Sequence, residues 1–148
     1  MLIVIALLLF CNYHTRAWSL GGIVCDVTCD SSHVYAKITK QTYQQANEES
    51  FKIYNGDTLL YSSPLLQDNQ YLEFEVCLET SISNQYSLQM LDIRDDAWAD
   101  GAWIEIEGMN GNIVYKGMMT ERSVQTEQFS LYSPINKNDS WKYTNSVS

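Results

Sequence analysis

Apolar and polar residues alternate with a period of two along most of this chain. The alternation covers the segments 34–39, 51–54, 72–78, 86–90, 102–106 and 129–132. Such a period places the apolar side chains on one face of a β-strand. No window keeps an apolar stripe at helical spacing for three turns. The pattern therefore predicts an all-β fold of seven or eight strands, arranged as an antiparallel β-sandwich or jelly roll.

Two Asn-Gly pairs, Asn55-Gly56 and Asn110-Gly111, separate predicted strands. Asn-Gly is the strongest short hairpin signal, because both central residues of a type I′ turn have positive φ. We therefore predict a tight hairpin at each pair. The residues around the two turns are similar. The similarity can reflect an internal duplication of the chain or can have arisen by chance.

Residues 2–10 form an unbroken apolar run. The run is too short to cross a bilayer, which needs about 20 residues, but it suits a secretory signal peptide. Ala17 and Ser19 are the small residues that favour cleavage before Leu20. The alternative is a buried N-terminal strand. We predict a signal peptide at 1–19, an N-terminal segment at 20–29, a β-sandwich module at 30–143 and a polar tail at 144–148, and hence a secreted protein.

The formal net charge is −9, and removal of the leader with Arg16 leaves 8 basic and 18 acidic residues, a charge of −10. Without a run of Lys or Arg, this charge disfavours nucleic acids and anionic membrane surfaces as partners. A second apolar run is absent, so we expect no membrane insertion of the mature chain. Asn138-Asp139-Ser140 is a glycosylation acceptor sequence, which agrees with export.

Cys25, Cys29 and Cys77 follow the leader, and an oxidising compartment would pair two of them. A bridge between Cys25 and Cys29 would close a loop too small to stabilise much. A Cys29–Cys77 bridge closes a longer loop, worth about 3–4 kcal/mol. We favour Cys29–Cys77, with Cys25 free or paired to another chain. Cys25, Cys29 and His33 also have the spacing of zinc ligands on a helix, but their β-branched surroundings favour the disulfide.

Groups suited to catalysis are few. His33 is the one histidine after the leader, and the Gly-x-Ser-x-Gly motif of hydrolases is absent. Two carboxylate pairs alternate with apolar residues and so belong to a solvated face, where the pKa of a general acid would not rise. These residues are Glu73, Glu75, Glu105 and Glu107. We expect a protein that is not an enzyme, with a small hydrolase using these carboxylates or Ser and His33 as the rival.

The segment 90–101 leads from a predicted strand into a cluster of carboxylates. They are Asp92, Asp95, Asp96 and Asp100, followed by Gly101. Hard cations such as calcium bind clustered oxygens on loops, although the spacing of an EF-hand is absent. The alternative is a structural loop whose aspartates cap their own turns while Trp98 closes the end of the sandwich. We favour the structural loop, with calcium as the alternative and no other cofactor.

Four aromatic side chains fall on predicted solvent-facing positions: Tyr35, Tyr54, Trp103 and Tyr132. Such rings offer a platform for sugar rings, or else cover hydrophobic edges. The partner we expect is therefore an extracellular glycan or protein.

The segment 86–106 resembles an extracellular repeat of secreted microbial proteins, especially those of protists. The hallmark of that repeat reads roughly Tyr-x-Leu-x-x-x-Asp-Ser-x-Gly-Asp-Gly/Ser-Trp-x-x-Gly-x-x-Ile/Leu-x-Ile. This chain retains Asp92, Asp96, Trp98 and Gly101, whereas Ile93-Arg94-Asp95-Asp96-Ala97 replaces the part with the two tight-turn glycines. Further matches extend the resemblance to about residues 30–143: Glu49-Ser50-Phe51-Lys52-Ile53-Tyr54-Asn55-Gly56, Val76-Cys77-Leu78, Ser130-Leu131-Tyr132-Ser133-Pro134-Ile135 and Trp141-Lys142.

The resemblance implies an extracellular β module, usually found in tandem arrays, and it also favours the pairing of Cys29 with Cys77. It implies no activity. We therefore expect a secreted, non-enzymatic β-sandwich module for extracellular binding or surface interaction. The alternative is a calcium-stabilised structural unit of a surface assembly.

Overall fold

A computed structural model of the chain describes residues 27–80 and 84–131. Several predictions fall on residues outside these ranges, and the structure does not bear on them. They concern the signal peptide at 1–19, most of the segment 20–29 including Cys25, the aromatic residue Tyr132, the glycosylation acceptor Asn138 and the tail at 144–148.

The described residues form eight strands and one 3-10 turn at Ala46–Glu48. The strands are β1 (His33–Gln41), β2 (Glu49–Asn55), β3 (Thr58–Ser62), β4 (Tyr71–Glu79), β5 (Gln85–Asp92), β6 (Trp103–Gly108), β7 (Ile113–Gly117) and β8 (Val124–Ser130). Sheet A has the order β4-β1-β6-β7, and sheet B has the order β3-β2-β5-β8. Every strand pairing is antiparallel. The predicted all-β sandwich is confirmed. Within 27–80 and 84–131, no helix is long and apolar enough to cross a membrane.

The core lies between the two sheets and uses every second residue of the strands. In β1 the buried positions include Val34, Ala36 and Ile38, as the alternation predicts. Contacts between aromatic rings join the sheets: the ring centroids of Phe51 in β2 and Phe74 in β4 are 6.1 Å apart. Burial of these apolar side chains is the main favourable contribution to folding.

The two predicted hairpins exist, but their turns differ from the prediction. Asn55 pairs with Thr58, so the two loop residues are Gly56 and Asp57, of which only Gly56 has positive φ, at 58°. The turn is shifted by one residue because the side chain of Asn55 is buried and its Nδ2 donates to the Glu79 carbonyl at 3.1 Å. The second hairpin, β6–β7, has a longer loop in which Gly111 adopts φ 75°.

The disulfide between Cys29 and Cys77 is confirmed, with the two Cα atoms 5.5 Å apart. It joins the segment before β1 to strand β4 across 48 residues of sequence. The bridge therefore ties the N-terminal part of the described chain to an edge strand of sheet A.

Candidate functional site

At one end of the sandwich, the core-facing positions of three strands become charged. Lys40 follows the buried positions of β1, Glu49 begins the buried series of β2, and Asp92 ends that of β5. All three side chains are buried, and Glu49 pairs in register with Asp92. The alternation that places apolar side chains in the core therefore also places these three charged side chains in the interior. Each buried charge must be paired with an opposite charge or hydrogen-bonded.

Lys40 and Glu49 form an ion pair that links the two sheets. Lys40 Nζ lies 2.6 Å from Glu49 Oε2, and it also donates to the Gln41 carbonyl at 3.0 Å. The same ammonium group is 3.8 Å from the centroid of the Trp98 ring, a cation–π contact. Burial lowers the pKa of Lys40, although the hydrogen bond to Glu49 acts in the opposite direction.

Trp98 is buried over this ion pair, and its indole Nε1 donates to the Leu91 carbonyl at 3.0 Å. Gly101 adopts φ 84°, and a Cβ there would lie 3.1 Å from the Tyr43 ring. The connection from β1 to β2 therefore packs against the connection from β5 to β6. The two connections together close this end of the sandwich.

We call residues 93–101, which resemble the hallmark of the repeat, the hallmark loop; two of its residues have a glycine-like backbone. Asp95 and Ala97 adopt φ values of 65° and 71°, in the left-handed region that favours glycine. Asp92 Oδ1 accepts hydrogen bonds from the backbone N–H of Arg94 at 2.9 Å and of Asp96 at 3.4 Å. The backbone N–H of Ala97 donates to the Arg122 carbonyl at 3.1 Å. These bonds hold the loop in place despite the cost of the left-handed residues.

Of the four aspartates that the sequence suggested for calcium, two converge. Asp92 and Asp96 each offer a carboxylate oxygen that lies within 4.8 Å of the other and of an oxygen of Glu48. Asp95 and Asp100 are exposed and lie outside this group. We call Glu48, Asp92 and Asp96 the carboxylate cluster.

Glu48 is not among the predicted calcium ligands, because it lies more than 40 residues before the loop. The 3-10 turn at Ala46–Glu48 leads into β2, and β2 pairs with β5, so the start of β2 meets the end of β5. The backbone N–H of Ile93 donates to the Glu48 carbonyl at 3.1 Å, which fixes the two segments together. The sequence does show two consecutive carboxylates, Glu48 and Glu49, directly before a predicted strand. They can be linked to the acidic loop only when the pairing of β2 with β5 is known.

The groups of the rival hydrolase do meet, but not as a catalytic triad. His33 Nδ1 lies 2.7 Å from Asp30 Oδ1 and 3.0 Å from Ser32 Oγ. A triad needs the carboxylate on one ring nitrogen and the hydroxyl on the other, whereas here both contact Nδ1. The hydrogen bonds from His33 and Ser32 lower the pKa of Asp30 to about 2.

The four strand carboxylates lie on the outer face of sheet A, where basic or hydroxyl partners surround them. Three of the four have a bonded side-chain partner: Lys37–Glu73 at 2.6 Å, Lys116–Glu105 at 2.8 Å and Tyr35–Glu75 at 2.8 Å. Glu107 pairs in register with Lys37. The bond to Glu73 raises the pKa of Lys37, and burial together with the bond to Glu75 raises the pKa of Tyr35.

The predicted aromatic platform is divided between the two faces of the sandwich. Tyr35 and Trp103 lie on the outer face of sheet A, and Tyr54 lies on that of sheet B. The Trp103 ring already has contacts: Lys116 Nζ is 4.4 Å from its centroid, and Tyr71 meets it in an edge-on arrangement at 6.2 Å. Within 27–80 and 84–131, the Tyr54 ring has no such aromatic or cation–π contact, so it is more open to a ligand than the Trp103 ring.

A shallow cleft of about 340 Å³ surrounds Tyr54 on sheet B. Its lining consists of Tyr54, Gly56, Asp57, Ser87, Gln89 and Thr126. Tyr54 is opposite Ser87 across β2 and β5, and Gln89 is opposite Thr126 across β5 and β8. The strand register thus places one aromatic ring beside an amide and two hydroxyl groups.

Comparison with known proteins gives no family for this chain: no family model, no curated protein and no solved structure matches it.

Proposed function

We propose that this protein is a secreted, non-enzymatic β-sandwich module that binds a neutral glycan chain on the outer face of sheet B. The observation that carries the proposal is the cleft around Tyr54. Sugar rings present C–H groups that pack on an aromatic face, and hydroxyl groups that exchange hydrogen bonds with amide and hydroxyl side chains. The cleft offers both kinds of group on adjacent strands.

The dimensions and charge of the cleft suit a short stretch of neutral polysaccharide. The strands β2, β5 and β8 lie side by side at about 4.8 Å spacing, so the lining groups extend over about 10 Å. The lining includes one carboxylate, Asp57, and Lys52 lies at the margin of the cleft, opposite Gln89 on the same face of sheet B. A carboxylate accepts hydrogen bonds from sugar hydroxyls and an ammonium group donates to them, and one charge of each sign favours a neutral ligand.

A binding role without catalysis is supported by the partners of the reactive groups. Ser32 and Asp30 share one nitrogen of His33, so the hydroxyl is not placed for activation. Glu73, Glu75 and Glu105 lie on the outer face of sheet A, in contact with Lys37, Tyr35 and Lys116 respectively. The two carboxylates of a glycosidase must be free to reach the scissile bond, whereas these three are already bonded to neighbouring side chains.

Secretion is supported by the apolar run at 2–10, by Ala17 and Ser19 before the predicted cleavage point, and by the disulfide between Cys29 and Cys77. The resemblance to extracellular repeats points to the same compartment. Export of the full chain from a eukaryotic secretory host, followed by N-terminal sequencing, should give Leu20 as the first residue. Retention of the uncleaved chain inside the cell would contradict this part of the proposal.

The binding test uses an array of neutral oligosaccharides, followed by titration calorimetry of the best binder. We expect Tyr54→Ala and Gln89→Ala to weaken binding at least tenfold. Tyr71→Ala removes an exposed tyrosine from the other sheet and should bind like the wild type. Melting curves show whether each variant is folded. Absence of binding across the array, or equal losses in the Tyr54 and Tyr71 variants, would contradict the proposal.

A further inference from the structure

The carboxylate cluster of Glu48, Asp92 and Asp96 combines residues from both connections at the closed end of the sandwich. One oxygen from each carboxylate lies within 4.8 Å of the others. Glu48 and Asp92 are buried, whereas Asp96 is exposed. Three carboxylates this close repel one another, so a cation among them would be strongly stabilising.

The Glu48 side chain provides a second, independent observation. It is only 4% exposed, and its Oε1 accepts a bond from Arg94 Nε at 2.7 Å. Its Oε2 is buried and has no hydrogen-bond partner among the described residues. A buried carboxylate oxygen without a partner is costly, and native structures usually satisfy such an atom with a donor, a water molecule or an ion.

The nearby positive charges are too few to neutralise the carboxylates at this end of the sandwich. The buried carboxylates of Glu48, Glu49 and Asp92, with Asp96 at the surface, give four negative charges, and among the described residues the cations in contact with them are Lys40 and Arg94. Lys40 is engaged by Glu49, and Arg94 is 64% exposed. Two negative charges remain, which matches one divalent cation.

We propose that Glu48, Asp92 and Asp96 bind one calcium ion. All three ligands are hard oxygen donors, which favours calcium or magnesium over zinc or copper. The ligands come from a 3-10 turn, a strand end and an irregular loop, an arrangement that suits the flexible coordination of calcium better than the octahedron of magnesium. Exposure of Asp96 lets water complete the coordination shell.

Calcium at this site stabilises the folded state, because the cluster joins residues that are far apart in the unfolded chain. It connects the segment before β2 with the end of β5 and the hallmark loop. The site lies apart from the Tyr54 cleft and shares no residue with it. Tyr54→Ala should therefore keep the full response to calcium.

The test begins with protein stripped by chelation and dialysis, melted in calcium chloride at concentrations from micromolar to millimolar. We expect the melting temperature to rise by more than about 5 °C at saturation, and titration calorimetry to show one site. Potassium chloride at the same ionic strength should not reproduce the rise. An unchanged melting temperature in excess calcium, or tighter binding of magnesium than of calcium, would overturn the proposal.

The chain offers matched control variants within one loop. Asp96→Asn removes one exposed ligand charge and should weaken calcium binding at least tenfold. Asp95→Asn and Asp100→Asn remove equivalent charges outside the cluster, and each should change the affinity by less than about twofold, since such exposed charges are well screened. Equal losses in all three variants would show diffuse attraction rather than a site.

Glu48 is tested by Glu48→Gln, which keeps the shape of the side chain. We expect this variant to lose the calcium-dependent rise in melting temperature. Since a buried substitution can impair folding, the comparison of Asp96→Asn with Asp95→Asn decides the matter if Glu48→Gln does not fold.

Arg94→Gln removes the competing cation on Glu48 Oε1 and should raise the calcium affinity. Weaker binding by folded Arg94→Gln would overturn the assignment of Glu48.

Discussion

Lys40 Nζ and Glu49 Oε2 lie 2.6 Å apart in the interior, at core-facing positions of two different sheets. Both side chains are almost completely buried, at 0% and 1% exposure. Trp98 covers the ammonium group, and the second oxygen of Glu49 accepts a bond from the Ala99 backbone N–H at 3.3 Å. One ion pair thus connects sheet A, sheet B and the hallmark loop.

Removal of one partner of this pair leaves the other charged and buried. We expect Lys40→Met to lower the free energy of unfolding by about 3–5 kcal/mol, measured by urea denaturation. Lys37→Met is the matched control, because Lys37 pairs with Glu73 on the outer face, where the loss should stay below about 1 kcal/mol. The double variant Lys40→Met/Glu49→Leu should regain most of the loss. A change below about 1 kcal/mol in Lys40→Met would contradict this interpretation.

Glycine at the left-handed positions of the hallmark loop should stabilise the protein. Asp95 and Ala97 adopt φ values of 65° and 71°, which cost an ordinary residue about 1 kcal/mol or more relative to glycine. We expect Ala97→Gly to raise the free energy of unfolding by about 0.5–1 kcal/mol. Ala99→Gly is the control in the same loop, because Ala99 is not among the residues with positive φ, and it should destabilise. Destabilisation by Ala97→Gly would contradict the assigned backbone.

The Cys29–Cys77 disulfide should contribute strongly to stability. In the chain-entropy model, a loop of 48 residues corresponds to about 4 kcal/mol. Replacement of both cysteines by serine should lower the free energy of unfolding by about that amount in guanidinium denaturation. Addition of a reductant should destabilise the wild type and leave the double variant unchanged. An equal effect of reductant on both proteins would contradict the pairing.

Asp30 should make stability depend on pH in the acid range. Its folded-state pKa of about 2 lies below the ordinary value of 3.8, so the folded state favours the ionised carboxylate. This contribution is complete above about pH 4 and is lost as the pH falls through about 2. A carboxyl titration followed by NMR should show the low pKa, and His33→Ala should shift it towards 3.8. A normal pKa for Asp30 in the wild type would contradict the hydrogen-bonded arrangement.

The sequence predicts the fold well where strands are half buried. The β1, β4 and β5 strands appear where alternation places them, because one face of each packs on the core. Strand β8 begins at Val124, earlier than predicted, since the polar stretch 124–128 shows no apolar alternation. As an edge strand, β8 is held by backbone bonds to β5, so few of its side chains need to be buried.

The candidate sites are less visible in the sequence, because each depends on strand register. The acidic loop was evident, but its partner Glu48 joins it only through the pairing of β2 with β5. The alternation predicts Tyr54 as a solvent-facing aromatic residue. It does not predict which strands lie next to each other, and so it does not place Ser87 and Thr126 near Tyr54. Lys40 follows the buried apolar positions of β1 in the alternation. That a lysine can be buried there becomes clear only when Glu49 of the other sheet is seen to pair with it.

The most direct test of glycan binding is an NMR titration of isotope-labelled protein with the oligosaccharide that binds best on the array. We expect the shifted amide signals to belong to the outer-face residues of β2, β5 and β8, with the largest changes at Tyr54, Ser87, Gln89 and Thr126. Shifts confined to sheet A around Trp103, or no specific shifts with any neutral oligosaccharide, would contradict this expectation.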